Sequence, residues 1–326
     1  MTPSYRSIDY SLRPGKHAER RMLSDALRKL TPFGSVEHYR YVGMGSLWYS
    51  DFAHFHRSLG LDDMVSIERE AQHRARFEFN KPYASIDLRF ASTTTELPRL
   101  DWQVRSIIWL DYDDRLTRSI LADSRMVAAR ANSGTVFIIS VQVEGPPVYE
   151  IQDGEGNESF QEVESIDDLR ERFFRGSVPA TASNSDLRGW AVAKLARSMI
   201  SLTIEAELAA RNAGRPRNQW FQFKQFVAFE YADGAKMTTL GGIFVDAGQN
   251  ALFESCDLSR LSYYRSSNEA VRLTVPVLTP REMRFLESRL PVAEGQQLQH
   301  GVIPARDANA FASLYRYLPS FAALES

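Results

Sequence analysis

The feature of this 326-residue sequence that most limits its fold is a strand–loop–helix rhythm that repeats between residues 35 and 143. Short runs that are apolar on both faces predict buried parallel strands. Strands that alternate with helices require right-handed crossovers, so the rhythm predicts an α/β fold with a parallel sheet. The predicted strands are Tyr39–Val42, Met64–Ile67, Ser85–Phe90, Ile107–Leu110 and Thr135–Val143.

The rhythm stops after Val143, and the pattern that follows predicts additions to the sheet. Residues 144–165 are rich in glycine, proline and acidic side chains, which predicts a surface loop. The alternating segments Trp220–Tyr231 and Lys236–Val245 flank Asp233-Gly234 and predict an antiparallel hairpin. Helices are expected at His17–Leu30, Asp51–Leu59, Ala71–Asn80, Arg118–Ala131, Asp167–Phe174, Gly189–Ala213, Arg281–Leu290 and Asp307–Tyr317.

These patterns divide the chain into five parts. They are an N-terminal helical extension (1–34), a Rossmann-like core (35–143), a helical insertion or cap (144–217), a closing hairpin (218–256) and a C-terminal extension (257–326). Thr279, Pro280 and Glu282 form a capping box that begins a helix in the last part.

Composition narrows the class of protein. Hydrophobic residues make up 44% and charged residues 25% of the chain, as in globular proteins with a real core. The net charge of -2 disfavours coating of nucleic acid or of an anionic membrane as the main task. Cys256 is the only cysteine, so neither an internal disulfide nor a cysteine-rich metal site can form. No apolar run is long enough to span a bilayer, and the polar start lacks a signal peptide, so a cytoplasmic protein is expected.

The first candidate site joins the ends of the first two predicted strands. Gly43, Gly45 and Ser46 follow the first strand, where glycines allow a tight turn and a close approach to a ligand. Glu68 ends the second strand, and its carboxylate can accept hydrogen bonds from both hydroxyls of a ribose. Arg69 follows it as a further candidate. The alternatives are an ordinary turn and an exposed Glu68 that pairs with a neighbouring arginine.

The second candidate site lies at the ends of the third and fourth strands. Ser92 and Thr93 follow the third strand, where they could contact a ligand or cap a helix. Asp111 and Asp113 end the fourth strand, at the edge where open α/β sheets bind ligands. A carboxylate there could contact the cofactor or act as general base, and a solvated turn is the alternative.

Three further groups favour packing or surface roles. Trp48 is expected in the core, whereas for Tyr49 packing and ligand stacking remain open. His54 and His56 point to different faces of a helix and cannot chelate a metal together. A basic N-terminal cluster could receive a phosphate or a nucleic-acid backbone, although a solvated helix face is favoured. Its members are Arg13, Lys16, His17, Arg20 and Arg21.

Five βα units closed by a hairpin resemble the class I methyltransferases, which use S-adenosylmethionine (SAM). The stretches YRYVGMGSLWYSDF, SIEREAQHRARFEFNKP, WLDYDD and YRYLPSF are also similar to a bacterial group labelled O-methyltransferases. The resemblance implies that Gly43–Ser46 hold the methionine part of SAM. It implies further that Glu68 holds the ribose and that Ser92 or Thr93 lies beside the adenine.

Departures from the family motifs refine this interpretation. G-M-G-S lacks the acidic residue and third glycine of the usual loop, and D-Y-D-D replaces the D/N-P-P-Y of amino-methylating DNA enzymes. The fifth strand ends without a carboxylate, so a metal site is not expected.

The predicted function is SAM-dependent methyl transfer, with O-methylation of a small-molecule or protein acceptor favoured. The alternatives are a catalytically degenerate module that binds a nucleotide or partner protein in a multi-gene bacterial system, and an RNA methyltransferase. No membrane partner is expected, whereas a homodimer or an operon partner is compatible with the sequence.

Overall fold

The computed structural model describes residues 13–152, 158–293 and 295–319 of the chain. Parts of the predicted extensions, residues 1–12 and 320–326, lie outside the described residues. Within the described ranges, an eight-stranded sheet has the order β10-β8-β9-β5-β4-β1-β2-β3, and β6 pairs with β7 alone. The strands are β1 Arg40–Gly43, β2 Met64–Glu68, β3 Ile86–Phe90, β4 Ser106–Arg115, β5 Val136–Gln142, β6 Val148–Gln152, β7 Glu158–Glu162, β8 Phe221–Asp233, β9 Ala235–Asp246 and β10 Val271–Arg272.

Helices cover both faces of this sheet. In the same ranges the α-helices are α1 Pro14–Arg28, α2 Ser50–Leu59, α3 Arg74–Asn80, α4 Thr93–Glu96, α5 Arg118–Arg130, α6 Ile166–Arg172, α7 Ala191–Asn212, α8 Asn250–Ser255, α9 Pro280–Glu287 and α10 Ala305–Leu314. Among them, no helix is long and apolar enough to cross a membrane.

The predicted fold class is confirmed. The first five strands run parallel to one another, and β9 pairs antiparallel with both β5 and β8. Nearly every side chain of β5 is buried, because a strand in the middle of such a sheet has helices above and below it.

Two hydrophobic cores explain which helix faces are apolar. On one face of the sheet, α1, α2 and the C-terminal extension pack around Tyr41, Ile107 and Trp109. On the other face, α5 and α7 pack around Val42, Ile108 and Leu110. Neighbouring residues on one strand therefore enter different cores, as the strand period of two requires.

Three details differ from the sequence-based predictions. Residues 144–165 contain the hairpin β6–β7 rather than only a loop. Strand β4 continues to Arg115, so Asp111 and Asp113 lie in an extended strand and not in a turn. The two-residue β10 pairs parallel with β8, a pairing that no local pattern indicated.

The predicted cap, 144–217, consists of two structurally different parts. Its hairpin lies beside the end of β4, where Arg115 contacts Glu162 and the Val148 amide donates to the Leu116 carbonyl. Its long helix α7 packs on α5 within the second core, so this part belongs to the helical layer instead of covering the sheet edge.

Candidate active site

The strand order places the predicted site residues at one edge of the sheet. β1 lies between β2 and β4, so the chain winds outward from β1 in both directions. Such a reversal opens a crevice at the carboxyl ends of the strands, which is where open α/β sheets bind ligands. The loop after Gly43, the side chain of Glu68 and the segment Asp111–Asp113 all belong to this edge.

The glycine loop and Glu68 contact each other in the structure, whereas their convergence on one ligand stays a prediction. Glu68 Oε1 accepts a hydrogen bond of 2.8 Å from the Ser46 amide. The Ser66 hydroxyl donates to the same oxygen over 3.2 Å and accepts from the Gly45 amide over 3.1 Å. Ser46 has a φ of 53°, a left-handed conformation that is costly for a residue with a side chain. The contacts to Glu68 hold the loop in this shape.

The two glycines make room for tyrosines of the protein itself. A Cβ at position 43 would lie 2.7 Å from the Tyr41 hydroxyl. A Cβ at position 45 would collide with the ring of Tyr49 and lie 2.9 Å from Ser66 Oγ. The sequence predicted close approach of the backbone to a ligand at these positions, and in the described structure the groups that approach it are buried side chains.

Glu68 retains hydrogen-bonding capacity toward a ligand. Burial raises the pKa of its carboxyl to about 7, against the opposing effect of the bonds from Ser46 and Ser66. Among the described residues, nothing donates to Oε2. The Ser46 hydroxyl is buried and finds no hydrogen-bond partner in the part of the chain that the structure describes. An acceptor oxygen beside an unused hydroxyl fits the hydroxyl-bearing part of a nucleoside.

Asp111 has a very different environment. Lys16 of α1 donates to its Oδ1 over 2.6 Å and also contacts Glu19 over 2.8 Å. The ammonium lies 4.2 Å from the ring centre of Trp109, which adds a cation–π contact. Burial acts to raise the pKa of Asp111, but the charge of Lys16, with Arg20 and Arg13, holds it below its ordinary value. Asp111 is therefore an anion at neutral pH.

The neighbouring charged candidates are more open. Asp113 is partly exposed and lies 4.0 Å from the guanidinium of Arg13. Arg69 is exposed and contacts Asp114 over 4.0 Å. These contacts therefore do not support the alternative in which Arg69 pairs with Glu68.

The candidates after β3 have protein partners. The Ser92 hydroxyl caps α4 by accepting from the Thr95 amide over 3.2 Å. The Thr93 hydroxyl donates to buried Asp123 on α5, which also accepts from the hydroxyl of Tyr112 over 2.6 Å. The helix-cap alternative accounts for Ser92, and the Thr93 side chain is occupied within the core.

The expectation for Trp48 was wrong. Trp48 is 44% exposed, whereas Tyr49 is fully buried and its hydroxyl donates to the Phe77 carbonyl over 3.2 Å. Tyr49 has a φ of 45°, so the chain turns sharply between the two side chains. This turn sends Tyr49 into the core and leaves Trp48 at the surface, which a hydrophobicity pattern does not show.

The sequence also placed the N-terminal cations wrongly. Arg13, Lys16 and Arg20 are each no more than 7% exposed, so they do not form a solvated face or an open phosphate-binding patch. Their positions share a helix face with Leu23 and Leu27. Cations on an otherwise apolar helix face were the available signal that they enter the protein.

The family model described as "Putative O-methyltransferase" matches residues 8–326, almost the whole chain. The chain belongs to this family. The predicted class, a methyltransferase, is thereby confirmed. No curated protein matches the sequence significantly.

Solved methyltransferase structures match this chain at low sequence identity and low TM-score. An O-methyltransferase from Bacillus cereus in complex with S-adenosylhomocysteine (SAH) is 14% identical with a TM-score of 0.36, over 74% of this chain and 84% of that one. A SAM-dependent methyltransferase from Mesorhizobium loti is 13% identical with a TM-score of 0.32, over 67% and 96%. The O-methyltransferase TomG from Streptomyces achromogenes is 13% identical with a TM-score of 0.35, over 73% and 91%. At these values no residue role is transferred.

Proposed function

We propose that this protein transfers the methyl group of SAM to an oxygen atom of an acceptor, at the crevice between Glu68 and Asp113. The observation that carries the proposal is the convergence of the Ser46 amide on Glu68 Oε1, which leaves Glu68 Oε2 open to a ligand. In this proposal Gly43, Gly45 and Ser46 shape the loop. Glu68 and the Ser46 hydroxyl hold the ribose, with Arg69 at the rim.

The remaining site residues have proposed roles of their own. Ser92 and Thr93 shape the adenine end through the helix cap and the bond to Asp123. Asp111, kept anionic by Lys16, attracts the ammonium group of the cofactor. Asp113, which lies farther from its cation, accepts the proton of the acceptor hydroxyl.

Methyl transfer of this kind makes modest chemical demands on the protein. SAM would supply a methyl group bonded to a positively charged sulfur. The acceptor oxygen would form a bond to the methyl carbon from the side opposite the sulfur, and the electrons of the broken carbon–sulfur bond would return to sulfur. The residues of this chain orient the two reactants and remove one proton, and holding reactants in line can supply much of the rate enhancement. A metal cluster is not needed for that task.

The acceptor is proposed to be a small molecule or a protein side chain. A groove of about 650 Å³ opens at the same sheet edge and is lined by Pro14 of α1, Asp233 at the hairpin tip, Trp190 and Leu273. Its walls are mostly apolar, whereas nucleic acid would require exposed cations. Arg13, Lys16 and Arg20 are buried, so the cluster offers little for a phosphate backbone. A cytoplasmic location, and a homodimer or operon partner, stay predictions.

Ligand binding tests the proposal directly. Isothermal titration calorimetry with SAM and SAH should detect binding to the wild-type protein. Glu68→Gln should weaken the binding of SAH by roughly 10-fold to 100-fold, because a hydrogen bond to a charged acceptor contributes about 1.5–3 kcal/mol. Glu70→Gln is the matched control and should leave the affinity unchanged, since among the described residues the Glu70 side chain accepts a hydrogen bond from Gln72 over 2.9 Å and makes no contact with the glycine loop. A wild-type protein that binds neither ligand would refute the proposal.

A second candidate is a non-catalytic module that binds a nucleotide or partner protein. Tyr41 and Tyr49 favour it, because they occupy the space above both glycines. Binding of ATP or ADP in place of SAM and SAH, lost in Glu68→Gln, would support this alternative.

A further inference from the structure

A polar cavity lies where α1, α2 and the chain after α10 meet. Its volume is about 320 Å³, at the lower end of the range of about 300–1,000 Å³ that small-molecule sites occupy. Its lining includes side chains from all three of these parts, namely Arg21, Arg28, His54, Ser58 and Arg316. The cavity is large enough for a small ligand, and the proposed function leaves it unused.

The charges around this cavity are unbalanced. Its described lining carries three guanidinium groups and a single carboxylate, that of Asp25. Arg28 donates to Asp25 over 2.8 Å, so this carboxylate is already paired. The lining offers no second carboxylate to Arg21 and Arg316. Positive charges gathered around one cavity repel one another, and an anion in the cavity would remove that repulsion.

Protein contacts hold the arginines in place and leave some of their donors unused. Nη1 of Arg21 donates to the carbonyls of Arg316 and Leu318 over 3.4 Å and 3.2 Å. Nη2 of Arg28 donates to the Ser58 carbonyl over 2.9 Å. Since a guanidinium has five N–H donors, both side chains keep N–H groups beyond these bonds. Such donors form a planar fork that matches the oxygens of a phosphate.

His54 responds to the same positive charges from the wall of the cavity. Its Nε2 lies 2.8 Å from the hydroxyl of Ser24. Burial lowers the pKa of His54 to about 4, and nearby positive charges, including those of Arg20, Arg21 and Arg28, lower it further in the same direction. The imidazole is therefore neutral at pH 7. An anion in the cavity would favour the protonated ring, so His54 can report on binding.

The arrangement favours a single phosphate group over other anions. A phosphate monoester carries a charge of about -1.5 to -2 at pH 7 and has three strong acceptor oxygens. This charge matches the two arginines that lack a carboxylate, whereas a simple carboxylate would neutralise only one. A nucleic-acid backbone engages a series of phosphate contacts. Here the cations surround one cavity instead of forming a row.

We propose that this cavity binds a phosphate group, free or as part of a small ester, through Arg21, Arg28 and Arg316. The site is separate from the crevice at the sheet edge. Arg21 and Arg28 lie about 8 Å and about 18 Å beyond Lys16 along the axis of α1, at about 1.5 Å per residue. The proposal therefore does not depend on the proposed function. A phosphate in this position joins the N-terminal helix to the C-terminal extension.

Calorimetry on the full chain tests the site with inorganic phosphate and with glycerol 3-phosphate, in sodium chloride at constant ionic strength. At least one of them should bind with a Kd of about 1 mM or lower. Arg21→Gln should weaken this binding about 10-fold, because a charge-assisted hydrogen bond is lost. Arg316→Gln should weaken it about threefold to 10-fold, and its exposed position makes an effect on folding small. The tighter of the two probes identifies the ester or the free ion as the occupant.

Arg57→Gln is the matched control. Arg57 is an exposed residue of α2 whose guanidinium donates to the Tyr83 hydroxyl over 2.9 Å, and it does not line the cavity, so the affinity should be unchanged. Nuclear magnetic resonance of the His54 ring gives a second measurement. Saturating phosphate should raise its pKa from about 4 towards the ordinary value of 6.5 in the wild type. The rise should be absent in Arg21→Gln at the same phosphate concentration.

Four results would overturn the proposal. They are no binding of either probe, an equal loss of affinity in Arg57→Gln, an unchanged pKa of His54 at saturation, and tighter binding of an RNA oligonucleotide that lacks terminal phosphates. The last result would identify a nucleic-acid surface instead of a site for one phosphate group.

Discussion

Glu68 and Asp111 lie on the two strands that flank β1, yet their environments shift their pKa values in opposite directions. Glu68 has only neutral partners, an amide and a hydroxyl, and burial raises its pKa to about 7. Asp111 is held below its ordinary pKa although burial acts against it, because α1 places the ammonium of Lys16 against it. Two carboxylates on one edge can therefore take different roles, and the neighbouring element decides which.

The largest effect on stability should come from removing the cation that pairs with Asp111. Lys16→Met leaves Asp111 and Glu19 buried without their cation, which should cost about 3–5 kcal/mol of unfolding free energy. Denaturant unfolding at pH 7 measures it. Lys194→Met is the control, because its pair with Glu269 is exposed and its loss should change stability by no more than about 0.5 kcal/mol. Equal losses in the two variants would show that Lys16 is not a buried anchor.

Replacement of Glu68 by glutamine should raise the stability of the protein, and the gain should depend on pH. A raised folded pKa means that the native state favours the protonated form, so stability falls as pH rises from about 4.5 towards 7. At pH 8 the ligand-free Glu68→Gln protein should be more stable than the wild type by up to about 3 kcal/mol, and at pH 4 the difference should vanish. Thermal and denaturant unfolding across this range measures it, with Glu70→Gln as control. A difference independent of pH would contradict the assignment.

The same pH range should govern binding if Glu68 accepts from the ribose. SAH affinity should rise between pH 6 and pH 8 as the carboxyl with a pKa of about 7 ionises. Calorimetry at these pH values should show no such rise for Glu68→Gln. If the wild-type affinity for SAH does not change between pH 6 and pH 8, Glu68 does not contact the ligand.

After the end of β3, the Thr93 side chain has a partner within the protein core, Asp123. Thr93→Val removes a donor from buried Asp123 and should destabilise the protein by about 1–2 kcal/mol. SAH affinity should remain within twofold, because the Thr93 hydroxyl points to α5. Thr94→Val is the control, since its partly exposed hydroxyl donates to the other oxygen of Asp123 and should cost less. A large loss of SAH affinity would instead make Thr93 a direct cofactor contact.

The smallest effects should come from the adjacent aromatics of the loop. Tyr49→Phe loses the bond to the Phe77 carbonyl and should cost about 1 kcal/mol. Trp48→Ala should change stability by only about 0.5 kcal/mol, because the side chain is 44% exposed. Denaturant unfolding of both variants checks the order. A reversed order would mean that Trp48 packs against more of the protein than its exposure indicates.

The parallel strands and their order along the chain were predictable, because apolar runs such as Ile107–Leu110 have the length and pattern of buried strands. The approach of Ser46 to Glu68 was also predictable, since parallel strands bring their carboxyl ends to one edge. The partners of the polar side chains were not. Thr93 and Asp123 are 30 residues apart in the sequence, and Lys16 and Asp111 are 95 apart. No local pattern links residues at such distances.

What the sequence by itself determined is the class of fold and the sheet edge at which the candidate site residues meet, because both follow from local periodicity and from the geometry of parallel strands. What only the tertiary structure decided is the state of each charged group at that edge. Burial and the packing of α1 across β4 make Lys16 an anchor and leave Arg20 Nε without a partner among the described residues. These are long-range contacts, and their electrostatic effect depends on distances and on exclusion of water that a sequence does not contain.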